Sequence, residues 1–542
     1  MSHYLNNHSL PYHTMSTLSL RKWVCAIFVL TYVVIGLPLW DRLTNIYRAP
    51  LPRDYIKSLH ENKFYDVHVT IPVYIRSDVY KFPDIHAATQ IQVNHLLNSK
   101  KQNVQWSLEI LLFNETFIEL EKAQGREYHI VTLQLDEFVG YNAAYDSKNT
   151  VVYFDDPTVA RNDLPFFVAQ TLVEHTFNVE WGYLSNGDLM HSEHNAVAVN
   201  YNPEIHLSIN LLKGDGSPVD WEIEETLKTY FTPFRRFLSP LVNFTVDTSV
   251  VYFNDLNLHS LNNTDNITWT DVSHSIDLSE LSSMNYFSED SALNLAIVFP
   301  SKETNPEGFS FVKVDGEQMW ESFIVPQWGV LVINKMPLEA NTVVSKDYLD
   351  AVLYKFANDL FELLGLSTQF DSLFSPVITI DSFKRIRALQ NMNKSVETLW
   401  SLIKLTEQFK QMAIPRDVLE KVKEVLDIRL QIVEILNNPA KGDDLSWDEA
   451  LNLSNKMVQR SEEAFFDGQM LKQNFFPQEH KLAVYMPLMG PITIVLFTGF
   501  VSLFKETESG SKEKKESLSE EEKKEVEETK AVGAIEGVDE IN

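Results

Sequence analysis

WVCAIFVLTYVVIGLPLW, from Trp23 to Trp40, is an apolar run without a single formal charge. As a helix it is long enough to cross a hydrocarbon core of ~30 Å. A second uncharged run, LAVYMPLMGPITIVLFTGFVSLF from Leu482 to Phe504, lies near the other end of the chain. Two crossings place both termini on one side of a membrane and residues 41–481 on the other. The first run exceeds the ~7–15 apolar residues of a signal-peptide core, and no small-x-small cleavage site follows it. It ends instead in Leu39-Trp40-Asp41-Arg42, an interfacial aromatic followed by charge, which suits a retained anchor. A buried core helix is the plainer alternative. The second run contains Pro487, Gly490, Pro491 and Gly499. A bilayer helix tolerates these where neighbouring helices satisfy the freed carbonyls, so this run points to partner helices.

Moving outward from the two runs, Lys505, Lys512, Lys514 and Lys515 favour a cytosolic C-terminus. The count around the first run disagrees, with Arg21 and Lys22 before it and Arg42, Arg48, Arg53 and Lys57 after it. N-x-S/T acceptors break the tie. Asn114, Asn243, Asn262, Asn266, Asn393 and Asn452 lie between the runs, and Asn7 alone lies outside them. The expected layout is a cytosolic 1–22, a span at 23–40, a lumenal domain at 41–481, a span at 482–504 and a cytosolic tail at 505–542.

The lone cysteine, Cys25, falls inside the first run. The expected lumenal domain therefore has no disulfide, no thiolate metal ligand and no cysteine nucleophile. A net charge of −29 argues against a nucleic-acid partner. Part of that charge is the tail, whose 13 carboxylates and 7 lysines come with few apolar residues and predict disorder.

The middle reads as mixed α/β. β-branched and aromatic runs predict strands at 66–75, 104–113, 128–135 and 150–154, with helices at 84–97 and 164–175. A second set follows, with strands at 204–212, 243–253, 292–299, 310–314 and 329–333 and helices at 221–237 and 346–364. Both sets run strand, helix, strands, helix, so we expect two α/β units, at 66–180 and 204–366. Their shared order raises an internal duplication, although no crisp sequence repeat accompanies it. From 379 to 472 glycine is nearly absent and apolar residues recur at three and four spacing, which predicts about three helices divided at Pro415 and at Asn437–Gly442. Ser446 with Glu449 is a capping box opening the last of them.

Catalytic chemistry is hard to find. His191 and His194 have i,i+3 spacing and His175 follows Glu174, yet no third metal ligand is fixed by spacing. Lys213-Gly-Asp-Gly-Ser-Pro lacks the ending of a phosphate loop and reads as a turn. Neither G-x-S-x-G nor G-x-G-x-x-G occurs. The best acid pair is Asp155-Asp156 at a strand end. It would suit a stand-alone lumenal glycosyltransferase or hydrolase, but a helix-capping turn explains it better. No cofactor is expected.

One stretch is more specific. IGLPLWDRLTNIYRAPLP, from Ile35 to Pro52, resembles the membrane-exit motif of the phosphatidylinositol-glycan class S family, through Gly36, Pro38, Trp40, Thr44, Tyr47, Arg48, Ala49, Pro50 and Pro52. Phe476-Pro477 and Tyr485-Met486-Pro487-Leu488 through Gly490-Pro491 are similar to the family's second span. The two-span layout agrees over nearly the whole chain, with a fungal-like look, a divergent middle and a tail peculiar to this sequence. The resemblance implies a non-catalytic subunit of the GPI transamidase complex of the endoplasmic reticulum, which attaches preformed GPI to precursor proteins. It implies as partners the other subunits, including a caspase-like cysteine protease, together with membrane lipids; the precursor protein and GPI are conceivable contacts. Pro50 and Pro52 stiffen residues 45–52, which we expect to act as a strut, with Arg48 reaching lipid phosphate or a neighbouring subunit.

Overall fold

The computed structural model describes residues 17–36, 38–39, 42, 47–77, 82, 84–99, 104–113, 128–136, 141–186, 201–239, 241–256, 261, 267–275, 291–303, 305–309, 319–326, 328–365, 375–410, 412–438, 446–472, 485–487, 489–502 and 505. The chain divides into two units. One comprises Met1–Pro50, Leu405–Leu419 and Phe466–Asn542, the other Leu51–Lys404 and Glu420–Phe465.

In the first unit, helix α1 (Thr17–Thr31) runs into a π turn at Tyr32–Gly36, and residues 489–502 are helical. No helix among the described residues is long and apolar enough to cross a membrane. The expectation of one continuous helix over 23–40 is corrected here, because the ladder widens to π geometry after Thr31, ahead of Gly36 and Pro38. Large apolar side chains nevertheless point outward on both stretches, among them Trp23, Phe28 and Leu30, and Ile494, Val495 and Phe497. Thr493 donates its hydroxyl to the Met489 carbonyl at 2.8 Å and receives the Tyr32 hydroxyl at 3.0 Å, linking the two stretches.

The second unit contains two five-stranded sheets. The first sheet is built from β1 (His68–Ser77), β2 (Gln105–Leu112), β3 (His129–Leu135), β4 (Tyr141–Asp146) and β5 (Asn149–Phe154), in the order β2-β1-β3-β5-β4. The second is built from β6 (Glu204–Lys213), β7 (Asn243–Tyr252), β8 (Ser291–Phe299), β9 (Trp320–Val325) and β10 (Gly329–Asn334), in the order β7-β6-β8-β10-β9. Each sheet thus places its first strand between its second and third. Each keeps four strands parallel and adds its fourth as an antiparallel edge against the fifth. The same topology occurs twice. Parallel strands are covered on both faces, which is why β6 is buried from Ile205 to Lys213 and β10 along its whole length. Gly329 opens β10 at φ +148°, where an added Cβ would lie 1.9 Å from the Asn294 carbonyl of β8.

Helix α2 (Ile85–Leu97) crosses from β1 to β2. After β5 come α3 (Asp156–Ala160), α4 (Leu164–Gln170) with a π turn at Thr171–Thr176, and α5 (Asn178–Asn186). The helix expected at 221–237 is likewise broken, into Ile223–Thr226, a π turn at Leu227–Phe231 and Thr232–Leu238. There the Thr232 hydroxyl reaches back five residues to the Leu227 carbonyl at 3.0 Å. Helix α6 (Lys346–Leu363) packs Leu349, Val352, Phe356 and Leu360 against Leu207, Ile209, Leu295 and Val332 of the second sheet. The strand expected at 310–314 lies outside the described residues.

The helical region comprises α7 (Pro376–Gln408), α8 (Arg416–Asn437) and α9 (Trp447–Phe465). Ser446 Oγ accepts from the Glu449 amide at 3.1 Å, capping α9. Ile380, Phe383 and Leu451 join the core of the second sheet. On the side of the first sheet, two arginines of these helices pair with carboxylates. Arg429 of α8 makes two bonds to the Asp66 carboxylate, at 2.8 and 2.5 Å. Arg385 of α7 forks onto Glu180 of α5 at 2.9 and 2.6 Å, with both side chains almost fully buried.

Candidate functional site

Of the exit-motif residues, Trp40 lies outside the described positions, and Gly36 closes the π turn. Pro52 precedes the helix Arg53–Glu61 and accepts from the Ile56 amide at 3.1 Å. Tyr47 to Pro50 form a clasp within the first unit. Arg48 pairs in parallel with Ile414; the Ala49 amide donates to the Ile414 carbonyl at 2.9 Å, and the Ile414 amide to the Tyr47 carbonyl at 3.1 Å. The Arg48 guanidinium bonds the carbonyls of Thr406 at 2.5 Å, Phe409 at 3.2 Å and Lys410. Thr406 lies in the last turn of α7 and Phe409 and Lys410 just past its end, where the helix dipole also favours a cation; the Phe409 carbonyl accepts from the Met412 amide as well, at 3.0 Å. Arg416 completes the clasp over the Tyr47 ring, 5.7 Å from its centroid. Lipid phosphate or a neighbouring subunit was the expected partner for Arg48; in the structure its guanidinium bonds three carbonyls of its own chain.

Of the sequon asparagines, Asn114, Asn262 and Asn266 lie outside the described residues. Asn243 starts β7 and Asn452 sits near the start of α9, both exposed. Asn393 is turned inward on α7 and is only 8% exposed, whereas an asparagine that carries a glycan must lie at the surface. These three line one groove of about 1170 Å³ in the second unit. Its walls are polar stripes at helical spacing, residues 387, 390, 391 and 394 on α7 and 452, 455, 456 and 459 on α9. Asn391 donates to Ser454 Oγ at 3.0 Å and to Asn455 Oδ1 at 2.8 Å, tying the walls together. The Tyr201 hydroxyl donates to the Leu241 carbonyl at 2.9 Å, while Arg387 lies over its ring at 5.0 Å. Burial raises the Tyr201 phenol and lowers the Arg387 guanidinium from their ordinary values. The sequence reading did not gather this site; the two i, i+3, i+4, i+7 polar stripes were its only signal.

The catalytic candidates resolve into structure. Asp155 is buried and accepts from the Thr158 amide at 2.9 Å, capping α3 as the helix-cap reading holds. Lys213, also buried, closes a turn on Ser217 and Asp215, and the Ser217 amide and hydroxyl hold the Asp215 carboxyl low despite its partial burial. His191 and His194 lie outside the described residues and His175 is exposed. Among the described residues no three His, Cys, Asp or Glu side chains are gathered for a metal.

Beside the Arg385–Glu180 pair, Asp381 is 2.8 Å from Lys384 and 3.1 Å from Lys148. Burial alone would raise its carboxyl, but the two lysines outweigh that and hold it low. His129 is driven down to about 3 by burial, aided by Lys148 and Arg385, so it stays neutral beside Thr150 Oγ1 at 2.8 Å. This cluster is a network of paired charges joining helices to a sheet.

A family model for the phosphatidylinositol-glycan biosynthesis class S protein (PIG-S) matches residues 27–510. The GPI transamidase component GPI17 of Saccharomyces cerevisiae is 57% identical over 537 residues, covering 97% of this chain and 100% of that protein. The GPI transamidase component PIG-S homolog of Schizosaccharomyces pombe is 23% identical over 511 residues, 90% of this chain and 84% of its own length. The GPI-anchor transamidase component PIGS of Bos taurus is 22% identical over 540 residues, 90% and 95% of the respective chains. With the exit motif, the clasp it builds and similarity running almost end to end, the chain belongs to the phosphatidylinositol-glycan biosynthesis class S family.

Proposed function

We propose that this chain is a non-catalytic, membrane-anchored subunit of the GPI transamidase complex of the endoplasmic reticulum. The observation that carries the proposal is the full-length similarity to a yeast protein named as a component of that transamidase. The chain's own chemistry agrees. Its one thiol, Cys25, lies in the first apolar run, so a thioester-forming nucleophile on the lumenal side comes from another subunit, the caspase-like cysteine protease.

The outward apolar side chains of α1 and of residues 489–502 need a cover, and a lipid bilayer supplies one. In this reading residues 23–40 and 482–504 both cross the membrane, residues 41–481 are lumenal, and both termini are cytosolic. The lumenal mass organises partner subunits, and the Tyr47–Pro50 clasp fixes the chain where it leaves the first crossing. Tethering at both ends raises the effective concentration of the lumenal mass near membrane-bound partners. Affinity purification in mild detergent tests the proposal. The other transamidase subunits are expected to co-purify, and recovery of this chain alone, from cells whose GPI attachment survives its depletion, refutes it.

A further inference from the structure

The groove between α7 and α9 has features that the scaffold role does not use. It is roomy and polar, and its walls carry carboxamides at close spacing, among them Gln390, Asn391, Asn452, Asn455 and Gln459. A carboxamide has two N–H donors and an oxygen with two lone pairs; Gln390, Asn391, Asn455 and Gln459 spend part of that capacity on protein partners, and what remains matches hydroxyls that both give and take hydrogen bonds. Tyr183 and Tyr201 add aromatic surface to the same lining. Charge in the groove is largely spent. Lys394 pairs with Glu462 at 2.8 Å and Lys456 with Glu424 at 2.9 Å. Arg387 gives its donors to Gln390 at 2.8 Å and to the Leu364 carbonyl at 3.4 Å. An anionic ligand therefore finds little unmatched positive charge, and an apolar ligand finds few apolar walls. A neutral ligand rich in hydroxyls fits both conditions.

A second, independent observation points the same way. Every sequon asparagine among the described residues, Asn243, Asn393 and Asn452, lines this one groove. Asn243 and Asn452 are exposed and stand where a sugar attached to either enters it. From Asn452 to Glu462 the wall runs ten residues along α9, ~15 Å of helix, enough for several linked sugar rings. We propose that this groove binds an oligosaccharide. Two sources share that chemistry: the chain's own N-linked glycan on Asn243 or Asn452, folded back onto the wall, and a glycan presented by another molecule. The chain's own glycan as a source rests on the lumenal placement of residues 41–481 proposed above, whereas binding of a free oligosaccharide by the groove does not depend on the transamidase assignment.

The test uses full-length protein from a host that adds N-glycans, kept in mild detergent. Release of oligomannose from Asn243 and Asn452 by an endoglycosidase is followed by glycopeptide mass spectrometry on native and on denatured protein. At least tenfold slower release from one site in the native protein identifies the chain's own glycan as the occupant. In a second arm, saturation-transfer NMR measures binding of free oligomannose to the N243Q/N452Q variant. Wild-type protein stripped enzymatically is a parallel sample in case the variant folds poorly. Saturable binding, weakened at least fivefold by Gln459→Ala, with no native protection in the first arm, identifies a glycan supplied by another molecule. Equal release from native and denatured protein, or empty sequons, together with no saturable binding in either sample, overturns the proposal.

Discussion

Replacing Arg48 by alanine removes the guanidinium from the carbonyls of Thr406, Phe409 and Lys410 and leaves the end of α7 without its cation. A hydrogen bond from a charged donor is worth ~1.5–3 kcal/mol net when buried. Arg48 is half-buried, so the low end applies. The helix-end charge adds ~0.3–1 kcal/mol. Together these make local opening of the clasp easier by about 2 kcal/mol, which corresponds to roughly 30-fold faster amide exchange.

The assay is hydrogen exchange with mass spectrometry on the detergent-solubilised full chain. It follows peptides holding the Ala49 and Ile414 amides, which bond across the clasp. Peptides from α2 serve as the unperturbed control. Arg48→Lys should fall between wild type and Arg48→Ala, because one ammonium keeps the charge but cannot fork onto three acceptors. An increase below threefold at Ala49 and Ile414 in Arg48→Ala would refute the capping argument.

Three further outcomes are expected. Arg385→Met strands the Glu180 carboxylate in the interior and should cost ~3–5 kcal/mol in chemical denaturation, whereas Arg385→Met with Glu180→Gln should recover much of that; a single-variant loss under ~1 kcal/mol contradicts the buried pair. His129 is held neutral with a pKa of about 3 against an ordinary 6.5, so its contribution is fully present above the unfolded value and is lost as pH falls through the window between the two. Wild type should therefore lose stability relative to His129→Gln on going from pH 7 to about pH 5, and parallel pH profiles of the two proteins count against this. Asn393, turned inward on α7, should carry no glycan in the folded protein, and an occupied site in glycopeptide mass spectrometry would show that this stretch of α7 is misplaced.

β10 was legible because burial on both faces leaves an unbroken apolar run in GVLVIN, and β6 because Ile205, Leu207, Ile209 and Leu211 alternate with His206, Ser208 and Asn210. Helices α7 to α9 were legible because their apolar faces repeat at helical spacing and because Pro415 and the Ser446 cap mark their ends. The antiparallel edge strands were missed. YNAAYD of β4 has no strong alternation, and its pairing is fixed by the hairpin to β5. WESFIV of β9 is likewise specified mainly by its neighbour β10. Three helices were read as continuous where π turns interrupt them, since a single widened turn leaves the apolar pattern almost unchanged.

The partners of Arg48 could not be read at all. They are backbone carbonyls some 360 positions away, and a carbonyl carries no residue identity. The groove was hidden for a related reason. The polar stripes of α7 and α9 look solvent-facing in isolation, and only the packing of the two helices turns them toward each other. The repeated topology, by contrast, was visible as a shared order of elements before any residue-level similarity could support it.

The central claim is that this chain organises a reaction performed by another subunit. It is tested most directly by assaying GPI transfer to a precursor peptide with the purified chain alone and with the complex that co-purifies with it. The account predicts activity only in the complex, unaffected by Cys25→Ala in this chain. Transfer by the isolated chain would contradict it.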